Sequence, residues 1–355
     1  MTVIAAVGTA LGAHAYDQET ITSVFGRHVV GDDASARAVL ERLHAHTGVR
    51  TRHLALPLED YPRLDGFTGA NDAWLRVGVP LGADAVRRAL ALAGLEPRDV
   101  DLLMTTTVTG VAAPSLDARL VQPLGLRPDV KRVPMFGLGC VAGVAGVARV
   151  HDYLMGHPDD VAVLLAVELC SLTVQPDDTS VANLVASGLF GDGAAAVVLV
   201  GERRAAALGI SGPRVVTSRS TFYDDTERVM GWDVGSSGLR IVLAASVADV
   251  VRDNLGSDVK EFLAEHELDV ADVQHWVAHP GGPKVVDAVV ETLGLPAAAL
   301  DRTRASLAAV GNLSSASVLH VLDDTLTAHP PGSGEPVVML AMGPGFCSEL
   351  VLLRW

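Results

Sequence analysis

Short, largely apolar segments recur along this chain, and they restrict its fold more than any other feature of the sequence. The five clearest are VDLLMTTTV (100–108), VAVLLAVEL (161–169), AAAVVLV (194–200), VQHWVAHP (273–280) and EPVVMLAMG (335–343). Runs of this length are typical of buried strands, and strands that are apolar on both faces need helices against both faces of their sheet. The sequence therefore predicts an α/β protein whose sheets lie between helical layers.

Helical patterns lie between these segments. Apolar residues recur at helical spacing in 84–100 and 285–295, and these patterns stop at Gly94 and Gly294, as helices often do. The order of helix, turn and strand in the first half recurs in outline in FLAEHELDVADVQHWVAHP (262–280). We therefore expect two related halves, 1–205 and 206–355, which meet in the charged, turn-rich stretch 200–220.

Charge and cysteine usage exclude several classes of function. The net charge is −15, and the only lysines are Lys131, Lys260 and Lys284. A nucleic-acid or anionic-membrane partner is therefore not expected. The chain shows neither a basic signal-peptide start nor a membrane-length apolar run, so we expect a cytoplasmic protein. Its three cysteines lack CxxC spacing, which argues against disulfides or zinc and leaves one of them as a candidate nucleophile.

Cys140 is that candidate. It lies in MFGLGCVAGVAGVARV (135–150), at the predicted start of a helix, where a helix N-terminus and a cationic partner can lower a thiol pKa. The neighbouring glycines would allow a tight turn and let a bulky ligand approach the sulfur; they are Gly137, Gly139, Gly143 and Gly146. The alternative is a small, buried, structural cysteine.

Two further polar residues lie at similar junctions. His279 ends an apolar strand and is followed by Pro-Gly-Gly and a helix, and Asn312 follows Gly311 just before another helix. Each could be structural alone, the histidine as a satisfied core residue and the asparagine as a helix cap. Open α/β sheets present catalytic groups at strand-to-helix junctions, so the three residues together predict an active site.

The motifs around these residues resemble the thiolase superfamily and, within it, the type III polyketide synthases, which are similar to chalcone synthase. They are GLGCVAG at Cys140, SGLFGDGAAAVV at Phe190, AHPGGPKV at His279, GNLSSASVL at Asn312 and MGPGFCSE at 342–349. The resemblance implies a five-layered αβαβα thiolase fold built from two related halves, a homodimer, and acyl-CoA and malonyl-CoA as substrates.

The resemblance also implies a catalytic mechanism. Cys140, held as a thiolate by His279, would attack an acyl thioester. His279 and Asn312 would donate hydrogen bonds to the enolate left when malonyl-CoA loses carbon dioxide. This chemistry needs no metal, flavin or nicotinamide cofactor.

The same resemblance assigns further residues to the substrate sites. Phe190 would border the reacting atoms, and Arg50 and Arg52 would contact coenzyme A phosphates. The remaining expected cavity residues are Thr109, Ala113 (from a loop that reaches across the dimer), Cys170, Thr173, Ile241, Gly343, Pro344 and Gly345.

Three functions remain open at this stage. The segments GWDVGSSGLRIVL (231–243) and GPGFCSELVLLRW (343–355) look most like bacterial alkylpyrone and alkylresorcinol synthases, which favours extension of an acyl-CoA starter to a pyrone or resorcinol. The second is an enzyme that uses malonyl-CoA alone and makes a small aromatic of the dihydroxyphenylacetate or tetrahydroxynaphthalene type. The third is an inactive scaffold that binds acyl thioesters.

Overall fold

The computed structural model describes residues 1–328 and 330–355. The strands are β1 (Thr2–Leu11), β2 (His14–Asp17), β3 (Thr51–Leu54), β4 (Leu102–Thr107), β5 (Lys131–Phe136), β6 (Val161–Leu169), β7 (Asp192–Gly201), β8 (Arg214–Phe222), β9 (Met230–Gly235), β10 (Gly238–Leu243), β11 (His275–Ala278), β12 (Pro336–Gly343) and β13 (Cys347–Arg354). The helices are α1 (Gln18–Phe25), α2 (Ala34–Ala45), α3 (Gly66–Ala93), α4 (Leu116–Leu124), α5 (Ala142–Gly156), α6 (Val181–Leu189), α7 (Glu202–Leu208), α8 (Val247–Ala264), α9 (Pro283–Leu293), α10 (Asp301–Val310) and α11 (Ser317–Ala328).

Strand order shows an internal repeat. The N-terminal half contributes the order β1-β7-β6-β4-β5 and the C-terminal half the order β8-β13-β12-β11. In both halves the first two neighbouring pairs are antiparallel and the later ones are parallel. The halves join through a short antiparallel pairing of β1 with β8, at Thr2↔Val215 and Val3↔Arg214.

Five layers follow from how the helices pack. The central helices α5 and α11 share one apolar core with the inner faces of both half-sheets. Helix α3 covers the outer face of the N-terminal half-sheet, and α8 and α9 cover that of the C-terminal half-sheet. The predicted αβαβα thiolase fold is therefore confirmed.

The five expected strands are all present, although their ends differ by a few residues from the sequence-based limits. The stretch 200–220, where the two halves were expected to meet, contains the end of β7, the whole of α7 and most of β8. The expected boundary at 205/206 falls inside α7. Within the described residues, no helix is long and apolar enough to cross a membrane.

Candidate active site

Cys140 and Asn312 occupy equivalent places in the two halves. Cys140 lies in the short 3-10 turn Gly139–Val141 just before α5, and Asn312 lies just before the turn Ser314–Ala316 that leads into α11. His279 directly follows β11. The structure brings these three residues together in one pocket, whose lining also includes Phe190.

Close packing positions Cys140. The preceding Gly139 has a φ of 58°, and a Cβ atom there would lie 2.7 Å from Pro344 Cδ. A Cβ on Gly143, one turn later, would lie 2.3 Å from the Ser315 carbonyl oxygen. Gly143 therefore lets α5 approach the segment that carries Asn312, which differs from its expected role of giving a ligand access to the sulfur.

His279 and Asn312 keep donor or acceptor groups available. Both ring nitrogens of the buried His279 lack a hydrogen-bond partner among the described residues. The Oδ1 atom of Asn312 accepts a hydrogen bond from the Ser314 backbone N–H at 2.8 Å. This contact fixes the orientation of the amide and leaves its NH2 group as the part that can donate to a ligand.

Burial controls the charge of the nucleophile and its neighbour. It raises the pKa of Cys140 to about 12 and lowers the pKa of His279 to about 3. The Cys140 sulfur lies 3.8 Å from Ser314 Oγ, to which a thiol can donate, and the thiolate–imidazolium pair with His279 stays a prediction. Proton transfer to His279 would create both charges together, so that their attraction offsets the cost of burying each one.

Glu168 is a buried polar residue beside the site that sequence analysis missed. Its carboxyl group interrupts the apolar run of β6 one residue before the strand ends, and burial raises its pKa to about 7. It accepts hydrogen bonds from the Val108 N–H at 3.0 Å, from Thr109 Oγ1 at 3.0 Å and from Ser315 Oγ at 2.5 Å. The available signal was one acidic residue inside an otherwise apolar strand.

The pocket has two small apolar lobes that meet at Cys140 and Phe190. Each has a volume of about 40 Å³. The first lobe extends between the β9–β10 hairpin and α9, and the second is lined in part by Cys170, Ile241 and Pro344. These three residues line the lobe, and their contact with substrate, which the family resemblance implies, stays a prediction.

Other expected wall residues lie elsewhere. Thr109 is buried against Glu168, and Thr173 Oγ1 donates to the Cys170 carbonyl at 2.8 Å, so neither lines a lobe. Ala113 is exposed on a surface loop and lines neither lobe. Gly343 and Gly345 line neither lobe: a Cβ on Gly343 would lie 2.8 Å from the Val141 nitrogen, and Gly345 has a φ of 136°, which favours glycine.

The expected contact of Arg52 with coenzyme A is wrong. Its guanidinium is buried and bonded inside the protein. Nη1 donates to the Phe190 carbonyl at 2.8 Å, and Nε donates to Gln18 Oε1 at 3.1 Å. Arg52 therefore holds the backbone of Phe190 and does not line the pocket. Arg50 is exposed and keeps its expected role as a prediction.

The described residues contain no group of three or more His, Cys, Asp and Glu side chains arranged to hold a metal ion. The groups that could act on a ligand at the pocket are the sulfur of Cys140, the ring of His279 and the amide of Asn312. A nucleophile, a base and a hydrogen-bond donor in one apolar pocket suit acyl transfer through a covalent thioester.

Comparison with known proteins agrees with this chemistry. Family models for the N-terminal and C-terminal domains of chalcone and stilbene synthases match residues 1–203 and 214–355. A 1,3,6,8-tetrahydroxynaphthalene synthase of Streptomyces peucetius subsp. caesius is 56% identical over 354 residues, covering 100% of this chain and 93% of that protein. A phloroglucinol synthase of Pseudomonas fluorescens is 29% identical over 323 residues, covering 91% of each chain.

The fold comparison gives the same result. The crystal structure of 1,3,6,8-tetrahydroxynaphthalene synthase from Streptomyces coelicolor A3(2) superposes with a TM-score of 0.93 at 31% identity, over 99% of each chain. The chain therefore belongs to the chalcone and stilbene synthase family and is a type III polyketide synthase, an enzyme of the acyltransferase type.

Proposed function

We propose that this synthase uses malonyl-CoA as both starter and extender and makes an aromatic product of the tetrahydroxynaphthalene type. The observation that carries the proposal is the 56% identity, over 354 residues, to a 1,3,6,8-tetrahydroxynaphthalene synthase. A naphthalene skeleton can be assembled entirely from two-carbon units, so no separate acyl starter is needed.

This proposal reverses the preference drawn from sequence alone. The segments 231–243 and 343–355 favoured a long acyl starter, but the relatives reported above are named for small aromatic products.

The first chemical step loads the enzyme. His279 takes the proton of the Cys140 thiol, and the sulfur attacks the thioester carbonyl of the starter. The carbon–sulfur bond to coenzyme A breaks, its thiolate takes up a proton, and the acyl group remains on Cys140. The apolar pocket around these groups keeps out water that would hydrolyse the new thioester.

Extension then joins two carbons. An incoming malonyl-CoA loses carbon dioxide, and the electron pair of the broken bond moves onto its thioester oxygen as an enolate. The N–H groups of His279 and Asn312 donate to that oxygen, and Phe190 keeps its surroundings apolar, which favours loss of the carboxylate charge. The enolate carbon attacks the acyl group on Cys140, whose sulfur leaves as the thiolate.

The proposal includes a homodimer and no cofactor. Edge strand β5 has no second neighbour among the described strands and exposes Phe136 (53%) and Val133 (39%), a surface that a second copy could cover. Ala113 lies on an exposed loop and is available to a partner subunit. A cytoplasmic location stays a prediction from the sequence.

The decisive experiment supplies the purified protein with malonyl-CoA, first alone and then with acetyl-, hexanoyl- or lauroyl-CoA, and determines the product masses. We expect the same aromatic product in every reaction, unchanged by a chelator. A product that incorporates hexanoyl or lauroyl groups in preference would support the acyl-starter alternative. Failure to form any polyketide would support the inactive scaffold.

A further inference from the structure

The ring of His279 is held in place by packing and by its own backbone. Both ring nitrogens are buried and lack a hydrogen-bond partner among the described residues. The residue directly follows β11, which is the edge strand of the nine-stranded sheet and pairs with β12. An edge strand has a neighbouring strand on one side, so its outward-facing backbone groups need partners from elsewhere.

The peptide unit between Ala278 and His279 is bonded at both of its polar groups. The His279 N–H donates to the Leu340 carbonyl of β12 at 2.8 Å. The Ala278 carbonyl points away from β12, because the C=O and N–H of one trans peptide unit point in opposite directions. The Thr303 hydroxyl of α10 donates to that carbonyl at 3.0 Å. Since a peptide unit is planar, the two bonds together restrain the direction in which the His279 side chain leaves the backbone.

The hydroxyl of Thr303 bonds outside its own helix. Thr303 is fully buried and belongs to the stripe that α10 turns towards the core, together with Leu307 and Ala308. A helical threonine can bond the carbonyl one turn earlier in the same helix, as Thr325 Oγ1 does with the Val321 carbonyl at 2.8 Å. Thr303 uses its single donor on β11 instead.

We propose that Thr303 is a positioning residue for His279. It lines neither lobe of the catalytic pocket, so it acts on the reaction through the histidine. Loss of its hydroxyl leaves the buried Ala278 carbonyl without a partner, and rotation of the peptide unit moves the His279 ring relative to Cys140. The proposal rests on the proposed function only in that His279 takes the Cys140 proton and donates to the enolate. It does not depend on which starter is used.

The test removes the hydroxyl and keeps the shape of the side chain. Thr303→Val replaces the hydroxyl with a methyl group, and Thr303→Ser retains it. Two measurements report on His279: the pH dependence of Cys140 alkylation by iodoacetamide, and the kcat and KM of malonyl-CoA decarboxylation. Thr325→Val is the matched control, because it removes another buried threonine hydroxyl whose acceptor lies within α11. Thermal melting shows which variants fold.

Thr303→Val is expected to weaken the action of His279 without abolishing it. The apparent pKa of Cys140 should rise by about one unit and kcat should fall about tenfold, because a displaced imidazole loses part of its interaction with the thiolate and the enolate. KM for malonyl-CoA should change less than about threefold. Thr303→Ser keeps the donor and should stay within about threefold of the wild type in kcat. Thr325→Val should lower the melting temperature and leave the pKa and kcat unchanged.

A double variant separates positioning from general destabilisation. If Thr303 acts through His279, its hydroxyl has no further effect in the His279→Gln background. His279→Gln/Thr303→Val should therefore match His279→Gln in alkylation pKa and in kcat. If Thr303→Val does not fold, Thr303→Ala and Thr303→Ser give the comparison, because both lack the methyl group and they differ in the hydroxyl alone.

Several results would overturn the proposal. Folded Thr303→Val could keep the wild-type pKa and kcat, or Thr325→Val could shift both values equally. The double variant could be distinctly slower than His279→Gln, which would show that Thr303 acts by another route. Wild-type behaviour of His279→Gln would contradict the proposed mechanism and this inference together, whereas a normal Thr303→Val beside a defective His279→Gln would contradict this inference alone.

Discussion

Phe190 and Asn312 lie on neighbouring segments joined by an isolated parallel β-bridge. The Asn312 N–H donates to the Leu189 carbonyl at 2.9 Å, and the Gly191 N–H donates to the Asn312 carbonyl at 3.0 Å. The Phe190 ring and the Asn312 amide, which line the same pocket, are therefore positioned by one piece of backbone. Displacement of either segment would therefore move both the Phe190 ring and the Asn312 amide.

Arg52 is expected to maintain that bridge. Its guanidinium donates to the Phe190 carbonyl, and its stem packs on Gly311, where a Cβ would lie 3.1 Å from Arg52 Cγ. Arg52→Met keeps most of the volume but removes the donors. We expect malonyl-CoA decarboxylation to slow by about tenfold to a hundredfold, because misplaced donors lose much of their effect. Alkylation of Cys140 by iodoacetamide should change less than about threefold.

Arg149→Met is the matched control for this experiment. Arg149 donates to Ser220 and to the buried carboxylate of Glu349, and neither acceptor lines the catalytic pocket. This variant should lower the melting temperature without changing the ratio of decarboxylation to alkylation. Arg52→Lys, which keeps a charged donor, should recover part of the activity. A parallel loss of both reactions in Arg52→Met would indicate a purely structural role.

Cys140→Ala is expected to abolish polyketide formation and leave measurable malonyl-CoA decarboxylation. The acyl-enzyme needs the sulfur, whereas stabilisation of the enolate depends on His279 and Asn312. Intact-protein mass spectrometry should show acylation of the wild type and none of the variant. Cys347→Ala is the control, because Cys347 does not line either lobe. Normal product from Cys140→Ala would contradict the proposed mechanism.

Asn312→Asp changes one atom of the catalytic amide. The remaining Oδ1 can still accept from the Ser314 N–H, so the local backbone is expected to persist. A carboxylate oxygen then replaces the donating NH2 group, and its charge repels the developing enolate. Decarboxylation should slow by at least about a hundredfold. The comparison variant is Asn254→Asp on α8, which should retain full activity. If Asn312→Asp unfolds under conditions in which it has not yet lost activity, Asn312 has a structural role instead.

His279 is expected to lower the pKa of Cys140 in the working enzyme. Burial raises the thiol pKa, and an imidazolium beside the sulfur acts in the opposite direction. His279→Gln should therefore raise the apparent pKa for iodoacetamide alkylation of Cys140 by about two units or more. Alkylation rates measured across the pH range give the apparent pKa of Cys140 in the wild type and in the variant. Equal values in the wild type and the variant would show that the thiolate forms without His279.

Local sequence patterns were sufficient to predict an α/β fold with helices on both faces of its sheets and to single out Cys140, His279 and Asn312, whereas the five layers and the wall residues came from the family resemblance. Apolar runs predicted the strands. Cys140, His279 and Asn312 each follow a glycine-rich or strand-ending motif that can be recognised in the sequence itself. Strand order was not accessible in this way. β1 lies in the middle of the sheet because it pairs with β7 and β8, both of which are distant in sequence.

Arg52 and Glu168 show why the rest of the site was missed or misassigned. In the sequence Arg52 looks like a surface cation, but packing against distant segments, including Phe190 after α6 and Gly311 after α10, buries it. In the sequence Glu168 is a single charge in an apolar run. Its partners Val108, Thr109 and Ser315 come from two other segments, so the sequence does not show them beside it. Buried polar groups are defined by long-range contacts, which no local pattern specifies.

Glu168 should make the stability of the fold depend on pH. Burial raises its pKa to about 7 from an ordinary value of 4.5, so the folded chain binds more protons than the unfolded chain between these values. Stability is therefore expected to fall as pH rises through this window, by up to about 3 kcal/mol, because one pKa unit corresponds to about 1.4 kcal/mol.

Glu168→Gln resembles the protonated form at every pH. Its free energy of unfolding in urea, relative to the wild type, should therefore improve between about pH 5 and about pH 8. Glu261→Gln, at a side chain that is 74% exposed on α8, is the control and should track the wild type. A constant difference between Glu168→Gln and the wild type would mean that Glu168 is ionised throughout, with its hydrogen-bond donors outweighing burial.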